Sequence, residues 1–188
     1  MDYILQIEKL DKYLDFNIEA QDKLLIKQLY MSFNNDLNLV GCYIKDFLTL
    51  ENNGKISDDE YIYNDFVLCF EKYKSVNQEI AFLNKLLEYG EYYLTIAFED
   101  TVDRVLLNAI VSVNSCFAME YYPFLMELMD KFLNKKIDGI SYALMLQSIT
   151  DTVFKNFEAT KTVDVDLNNL RNKLELIISS KSDERIAV

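Results

Sequence analysis

The chain has 188 residues, of which 51% are hydrophobic, so it is long enough for one domain with a substantial core and too short for two comfortable domains. Four glycines and one proline provide few of the turn residues that an all-β chain needs at every reversal, which predicts helices. The net charge of -12 repels phosphate backbones and anionic lipid, and the absence of histidine removes the commonest general base and zinc ligand. Composition therefore argues against nucleic acid or a membrane as the ligand, and it favours a basic protein as the partner.

The sequence has no positively charged start followed by a short apolar run, and no stretch of roughly 18 residues is free of charge. We therefore expect a cytoplasmic protein. Cys42, Cys69 and Cys116 are odd in number and lie far apart, which matches neither a disulfide framework nor the close pairs of a zinc site. We expect them to be small buried hydrophobes in a reducing compartment, and we expect neither a metal nor a cofactor.

Apolar residues recur at helical spacing almost throughout, which predicts a single all-α domain over 1–188 with about eight helices. The predicted helices lie at 2–14, 19–48, 57–70, 77–98, 101–119, 123–132, 138–154 and 167–178. The pair Asn34-Asn35 predicts a bend or break in the second helix, because two poor helix formers stand together. Pro123 fits the first turn of the sixth, where a missing N–H costs nothing.

The remaining segments are expected to be irregular. Residues 160–166 are polar and β-branched, which predicts a loop, and 179–188 should form a frayed tail. Most aromatic residues belong to the apolar stripes, so we expect side chains such as Tyr61, Phe98 and Phe117 to pack in the core.

Residues 50–61 read LENNGKISDDEY and have two interpretations. Spaced as a calcium loop, the ligands would be Thr49, Glu51, Asn53, Lys55 through its carbonyl, Ser57 and Glu60, around the turn residue Gly54. The first position then has a neutral hydroxyl in place of a carboxylate, and the third has a side chain one methylene too long. Much of the charge that would hold the ion is missing, which argues against calcium binding.

The other interpretation of this segment is a turn between two helices. The pair Asn53-Gly54 tolerates positive φ just after a helix end, and residues 57–60 (SDDE) form a capping box at the start of the next helix. Asp58 and Asp59 would be favourable near the positive N-terminus of that helix. Local structure alone explains these residues, so we favour the turn.

A second segment repeats part of this pattern. Phe132-Leu-Asn-Lys-Lys-Ile137-Asp138, followed by Tyr142, matches Phe47-Leu48, then Lys55-Ile56-Ser57, then Tyr61. Both segments resemble small all-helical bacterial immunity proteins of the colicin and contact-dependent growth inhibition type, with a lysine at 135 or 136 where glycine is usual and Asp138 in place of serine. The resemblance covers about a dozen residues at each place. It implies an inhibitor that binds and neutralises a cognate toxin.

Acidic residues cluster at predicted helix starts, where they should be exposed. The candidate partner-binding acids in these clusters are Asp58, Asp59, Glu60, Asp65, Glu99, Asp100 and Asp103. An acidic surface would steer a basic toxin domain, often a nuclease, toward this chain and so raise the association rate. The alternative role of these residues is helix capping and solubility.

Two segments place a carboxylate beside adjacent tyrosines: Glu91-Tyr92-Tyr93 and Glu120-Tyr121-Tyr122. Neighbouring residues on a helix cannot both face the core, so one tyrosine of each pair is expected to be exposed. Glu91, Tyr93 and Tyr122 are therefore further candidates for partner binding, because exposed tyrosines are frequent at interfaces. The alternative is that they are boundary residues with a solvated hydroxyl.

Four functions follow from these patterns. The leading hypothesis is an immunity protein that binds a basic toxin domain, and the second is another acidic interaction module, such as a nucleic-acid-mimicking inhibitor or an adaptor. A calcium-binding protein and an enzyme come after these. We identify no catalytic residue, because carboxylates such as Asp164 and Asp166 lack a spacing that indicates a metal site or an acid–base pair.

Overall fold

The computed structural model describes residues 3–53, 55, 61–160 and 167–186, with the side chains at 159, 160, 167, 168 and 180–186 excepted. These residues form nine α-helices and one short 3-10 helix, with no β-strand among them, which confirms the all-α prediction. No helix within this part of the chain combines the length and the apolar character that crossing a lipid bilayer would require.

The helices follow one another closely along the chain. They are α1 (Tyr3–Asn17), α2 (Lys23–Ser32), α3 (Leu37–Glu51), α4 (Ile62–Lys74), α5 (Glu79–Ala97), α6 (Arg104–Ser115), α7 (Tyr122–Leu133), α8 (Gly139–Thr160) and α9 (Leu167–Ile186). The 3-10 helix is Met119–Tyr121. The Cα atoms form two compact units, Met1–Leu94 and Thr95–Val188, and the expectation of one domain over 1–188 stays a prediction. The helix α9 continues past 179, where a frayed tail was expected, and the predicted loop at 160–166 falls largely outside the described residues.

The predicted break at Asn34-Asn35 is confirmed. Both residues have positive φ, 52° and 57°, which ends α2 because right-handed helix cannot continue through them. Asp36 then starts α3, where its carboxylate accepts hydrogen bonds from the backbone N–H groups of Asn38 at 3.0 Å and Leu39 at 3.2 Å. The second predicted helix is therefore two helices.

Asn77 follows the end of α4, although the fourth predicted helix, 77–98, begins at this residue. Its φ is 56°, and its backbone N–H donates to the carbonyl of Lys74 at 3.0 Å, so it closes α4. The helix α5 begins two residues later, at Glu79. Asparagine suits both a helix start and the left-handed residue that follows a helix end, and spacing alone does not separate these roles.

The N-terminal unit is built around an aromatic core. Its helices α1, α3 and α4 pack against one another, and α5 contributes further rings. Phe47 packs edge-on against Phe82 at 5.6 Å and Tyr89 at 6.0 Å between ring centroids. Tyr43 is fully buried, and its hydroxyl donates to the backbone carbonyl of Leu86, so the polar end of a core side chain is satisfied.

In the C-terminal unit, α6 packs on α8, and α7 contacts both α8 and α9. Pro123 lies in the first turn of α7, as predicted. An ion pair joins α9 to α7, because Nε of Arg171 lies 2.6 Å from Oε2 of Glu127. This unit therefore combines an apolar core with a partly shielded charge pair.

The turn between α7 and α8 carries the immunity-like pattern. The rings of Phe132 and Tyr142 stack at 4.2 Å between centroids, with an interplanar angle of 8°. Lys135, at one of the two positions where glycine is usual, has φ 56°, a conformation that glycine adopts without strain. Asp138 caps α8 by accepting from the N–H of Ser141 at 2.8 Å. In the first copy Tyr61 is exposed instead, so the expectation that it packs in the core is wrong.

We predict that Gly41→Ala destabilises the protein although alanine is the better helix former. A Cβ at this position of α3 would lie 2.8 Å from the Cβ of Tyr3, an atom that cannot move without its backbone. Overpacking costs about 1–3 kcal/mol and the helix propensity of alanine returns about 1 kcal/mol, so the free energy of unfolding should fall by about 1 kcal/mol.

Gly139→Ala is the matched control, because an added Cβ there meets nothing within 4 Å. Urea unfolding followed by circular dichroism measures both variants. Equal stability of the Gly41 and Gly139 variants would contradict the close approach of α1 to α3.

Candidate functional site

The predicted acidic residues fall into three groups. Asp58, Asp59 and Glu60 lie outside the described residues. Asp65 lies in the first turn of α4 and is half-buried, a position where a carboxylate stabilises the helix through its dipole. Glu91 is exposed on α5.

The third group, Glu99, Asp100 and Asp103, lies in the connection between α5 and α6. Asp103 caps α6, since its Oδ1 accepts from the N–H groups of Val105 at 2.9 Å and Leu106 at 3.1 Å. Burial, and then the nearby charge of Asp103, raise the pKa of the Tyr142 hydroxyl. Asp103 therefore has a structural role, whereas Glu99 and Asp100 are exposed.

The expectation of exposed tyrosines is wrong, because all four are buried: Tyr92, Tyr93, Tyr121 and Tyr122. Tyr93 packs against Phe33 and Tyr43 at ring distances of 6.0 Å and 5.5 Å. Tyr92 packs on Tyr89 at 5.4 Å. The buried face of α5 is wide enough to include two adjacent residues, so the rule that neighbouring residues on a helix cannot both face the core does not hold here.

The other tyrosine pair does not lie within one helix. Tyr121 ends the 3-10 helix and Tyr122 begins α7, so a change of helix falls between the two side chains. The hydroxyl of Tyr122 donates to Oδ1 of Asn114 at 2.7 Å. The partner-binding roles of Tyr93 and Tyr122 stay untested predictions, and their rings do not form an open surface.

Asn114 joins the ends of three helices. Besides accepting from Tyr122 at the start of α7, its Nδ2 donates to the carbonyl of Ile96 at 3.3 Å and to Oε1 of Glu99 at 3.1 Å. One side chain near the end of α6 therefore holds the end of α5 and the start of α7. The sequence analysis did not identify Asn114, since its partners lie 8 to 18 residues away.

Large apolar side chains are exposed in the connections before and after α6. Phe98, Phe117 and Met119 have exposed fractions of 62%, 79% and 53%. Phe98 immediately precedes Glu99, and the N–H of Phe117 donates to the carbonyl of Asn114 at 3.1 Å. The expectation that Phe98 and Phe117 pack in the core is wrong, because each stands just beyond the end of its helix, where the helical period no longer applies.

Exposed carboxylates accompany these apolar side chains. We call the following set the junction surface: Phe98, Glu99, Asp100, Phe117, Met119 and Glu120. Its three acids form no ion pair with a lysine or arginine in the part of the chain that the structure describes. The junction surface thus presents apolar area and uncompensated negative charge together, a combination that suits a basic protein with an apolar contact.

Two of the calcium-ligand positions lie inside α3 and have other partners. The buried hydroxyl of Thr49 donates to the carbonyl of Lys45 at 3.0 Å. Glu51 pairs with Nζ of Lys85 at 2.5 Å and accepts from the Tyr73 hydroxyl at 2.8 Å. This geometry favours the turn interpretation of residues 50–61. Among the described residues, no group of three acidic or cysteine side chains is placed to hold a metal ion.

Cys69 lies beside Glu51, with Sγ and Oε2 3.9 Å apart. Burial, and then the charge of Glu51, raise the pKa of this thiol to about 12. A thiol with this pKa is protonated at neutral pH, so Cys69 lacks the thiolate that nucleophilic catalysis requires. Cys116 is buried as well, as expected, and Cys42 is half-buried.

The N-terminal unit also has a surface pocket of 280 Å³ between α1 and α2. It is lined by Asp11, Leu14, Asp15, Ile18, Lys23, Ile26, Lys27 and Tyr30. Nζ of Lys23 lies 2.9 Å from Oδ1 of Asp15 and donates to the Asp15 carbonyl at 2.8 Å. Burial, followed by the charge of Asp15, raises the pKa of Asp11. Two acids and two bases balance in this pocket, so its charge selects neither a cation nor an anion.

We compared the chain with protein-family models, curated protein sequences and solved structures, and none of the three comparisons found a match.

We predict that Asn114→Ala destabilises the C-terminal unit by about 2–3 kcal/mol, because it removes the hydrogen bonds that join three helix ends. Tyr122→Phe removes one of these bonds and should cost about 1 kcal/mol. The two changes share a bond, so together they should cost less than the sum of the single changes.

Asn134→Ala is the control, since it removes an exposed bond to Asp130 and should change stability by less than about 0.5 kcal/mol. Urea unfolding measures the four variants. Costs that add without interaction would contradict the junction geometry.

Proposed function

We propose that this chain is an immunity protein that binds a cognate bacterial toxin domain in the cytoplasm and neutralises it without catalysis. The observation that carries the proposal is the junction surface, where exposed apolar side chains occur with carboxylates that form no ion pair with the lysines and arginines of the described ranges. The toxin domain is inferred to be basic, as a nuclease domain would be, because the chain has a net charge of -12.

Charge and apolar area contribute differently to such binding. The long-range field of an acidic protein raises the association rate with a basic partner, and this effect weakens as salt screens it. The buried apolar contact slows dissociation once the two proteins meet. Glu99 and Asp100 would act mainly in the first step, and Phe98, Phe117 and Met119 in the second.

Residues 132–142 resemble a segment of bacterial immunity proteins, and this resemblance is the reason why we propose a toxin as the partner. The pattern there closes α7 and opens α8 through the Phe132–Tyr142 stack and the Asp138 cap. These contacts, which join the end of α7 to the start of α8, give the segment a structural role. We therefore place binding at the junction surface and structural support at 132–142.

The direct test is co-expression with the toxin domain encoded immediately upstream of this chain in its native genome. The proposal expects that the domain alone stops growth, that this chain restores growth, and that the two co-purify. Absence of a toxin gene, or growth arrest in the presence of this chain, would contradict it. Co-purification of a host nucleic-acid-binding protein instead would indicate the runner-up function, nucleic-acid mimicry.

We predict that the double change Glu99→Lys and Asp100→Lys slows association with the toxin domain by about tenfold at low salt and flattens its salt dependence. The change also removes the exposed hydrogen bond from Nδ2 of Asn114 to Glu99, so the free energy of unfolding should fall by about 1 kcal/mol. Stopped-flow or surface plasmon resonance at several ionic strengths measures the association rate.

The control is the double change Glu8→Lys and Glu158→Lys, which alters the net charge equally at exposed positions outside the junction surface. It should slow association less. Equal slowing by the two pairs would show that only the total charge matters, and it would reject a role for this surface in steering.

A further inference from the structure

Three helix ends combine an unfavourable backbone conformation with an exposed side chain: one is Lys135 after α7, with φ 56°, and the other two belong to the junction surface. Asparagine adopts positive φ after α2, α3 and α4, and it tolerates this conformation well. Glu99 after α5 and Phe117 after α6 adopt it too, with φ 56° and 53°. A bulky residue such as phenylalanine is rare in the left-handed region, because its Cβ crowds the backbone.

Packing in the core does not explain why residue 117 is a phenylalanine. Phe117 has an exposed fraction of 79%, so its ring gains little from burial while its backbone loses free energy. Glycine or asparagine would close α6 at lower cost. When the backbone of a residue is strained and its side chain does not contribute to folding, a role of that residue in function is indicated.

Of these residues, Glu99 and Phe117 lie on the same surface. The backbone carbonyl of Asn114 accepts a hydrogen bond from the backbone N–H of Phe117 at 3.1 Å. The side-chain Nδ2 of Asn114 donates to Oε1 of Glu99, also at 3.1 Å. Both helix ends are therefore attached to one residue, which holds the backbone of Phe117 in place. An exposed side chain on a backbone held in this way loses less entropy on binding than one on a freely moving segment.

Resting on the proposed function, we propose that Phe117 is the central hydrophobic anchor of the interface, with Phe98 and Met119 beside it. The partner's matching feature is an apolar pocket ringed by lysine or arginine, because Glu99, Asp100 and Glu120 are exposed in the same two connections as the apolar side chains and pair with no lysine or arginine among the described residues. The strained end of α6 is thus kept because it presents this ring.

The test uses a defined probe, a fluorescein-labelled synthetic helical peptide of leucine and lysine. Two matched peptides, one of leucine and glutamate and one of serine and lysine, remove the charge match or the apolar contact. Fluorescence anisotropy should detect binding of the first peptide only, at a salt concentration high enough to screen the general attraction of the -12 charge for a basic peptide. Phe117→Asn should weaken this binding about tenfold, as loss of an aromatic anchor does.

The same variant makes a second, independent measurement possible. Because asparagine tolerates positive φ, Phe117→Asn should leave Tm unchanged or raise it by about 2–4 °C. Phe16→Asn is the matched control, since Phe16 is 90% exposed on α1 and lies outside the junction surface. It should change the affinity for the peptide less than about twofold.

In the binding experiment, the proposal that Phe117 is the anchor would be rejected if the leucine–lysine peptide did not bind or if the leucine–glutamate peptide bound equally well. Equal affinity of the Phe117 and Phe16 variants would reject it too. In the unfolding experiment, a large fall in Tm for Phe117→Asn would reject it. Self-association of the unmodified chain that Phe117→Asn abolishes would assign the surface to a second copy instead. Undiminished toxin binding by Phe117→Asn would reject the anchor alone, whereas no toxin binding by the unmodified chain would reject the proposed function.

Discussion

Turning the chain at a helix end without glycine is the constraint on which this structure depends. The sequence has four glycines, yet seven other residues in the described part of the chain adopt positive φ. Four of these are asparagines, whose short polar side chain makes the left-handed conformation inexpensive. Lys135, Glu99 and Phe117 are the exceptions. The first lies in the turn before α8, and the other two meet at Asn114, so strain is concentrated where two reversals are joined.

The cores of the two units stabilise the fold, and the strained region contributes little to them. Fully buried rings such as Phe47 and Phe82 pack together in the N-terminal unit, and α6 packs on α8 in the C-terminal unit. Phe117 adds little to the core, because 79% of its surface is exposed. A protein with sufficient stability elsewhere can retain an unfavourable residue at a surface where it contributes to function. In the function we propose, the -12 charge acts over a longer range than this ring and steers the approach of the partner, whereas the ring acts on docking.

Helical periodicity was enough to predict the fold class, and the poor helix formers at Asn34-Asn35 were enough to predict a break. Helical periodicity gave wrong predictions of burial for residues just beyond the end of a helix. Phe98 and Phe117 match an apolar stripe in sequence but lie beyond their helices, and Tyr121 and Tyr122 belong to different helices. The contacts of Asn114 connect residues distant along the chain, so no local rule identifies them. A phenylalanine at the position where a helix should stop, in a chain poor in glycine, is the signal that could have indicated the surface.

Hydrogen–deuterium exchange of this chain, alone and with its cognate toxin domain, tests the central claim most directly, because amides covered by a partner exchange more slowly. The account predicts slower exchange at residues 98–100 and 117–120, and unchanged exchange at the exposed face of α1 around Phe16. Slower exchange confined to other segments, with residues 98–100 and 117–120 unaffected, would contradict it.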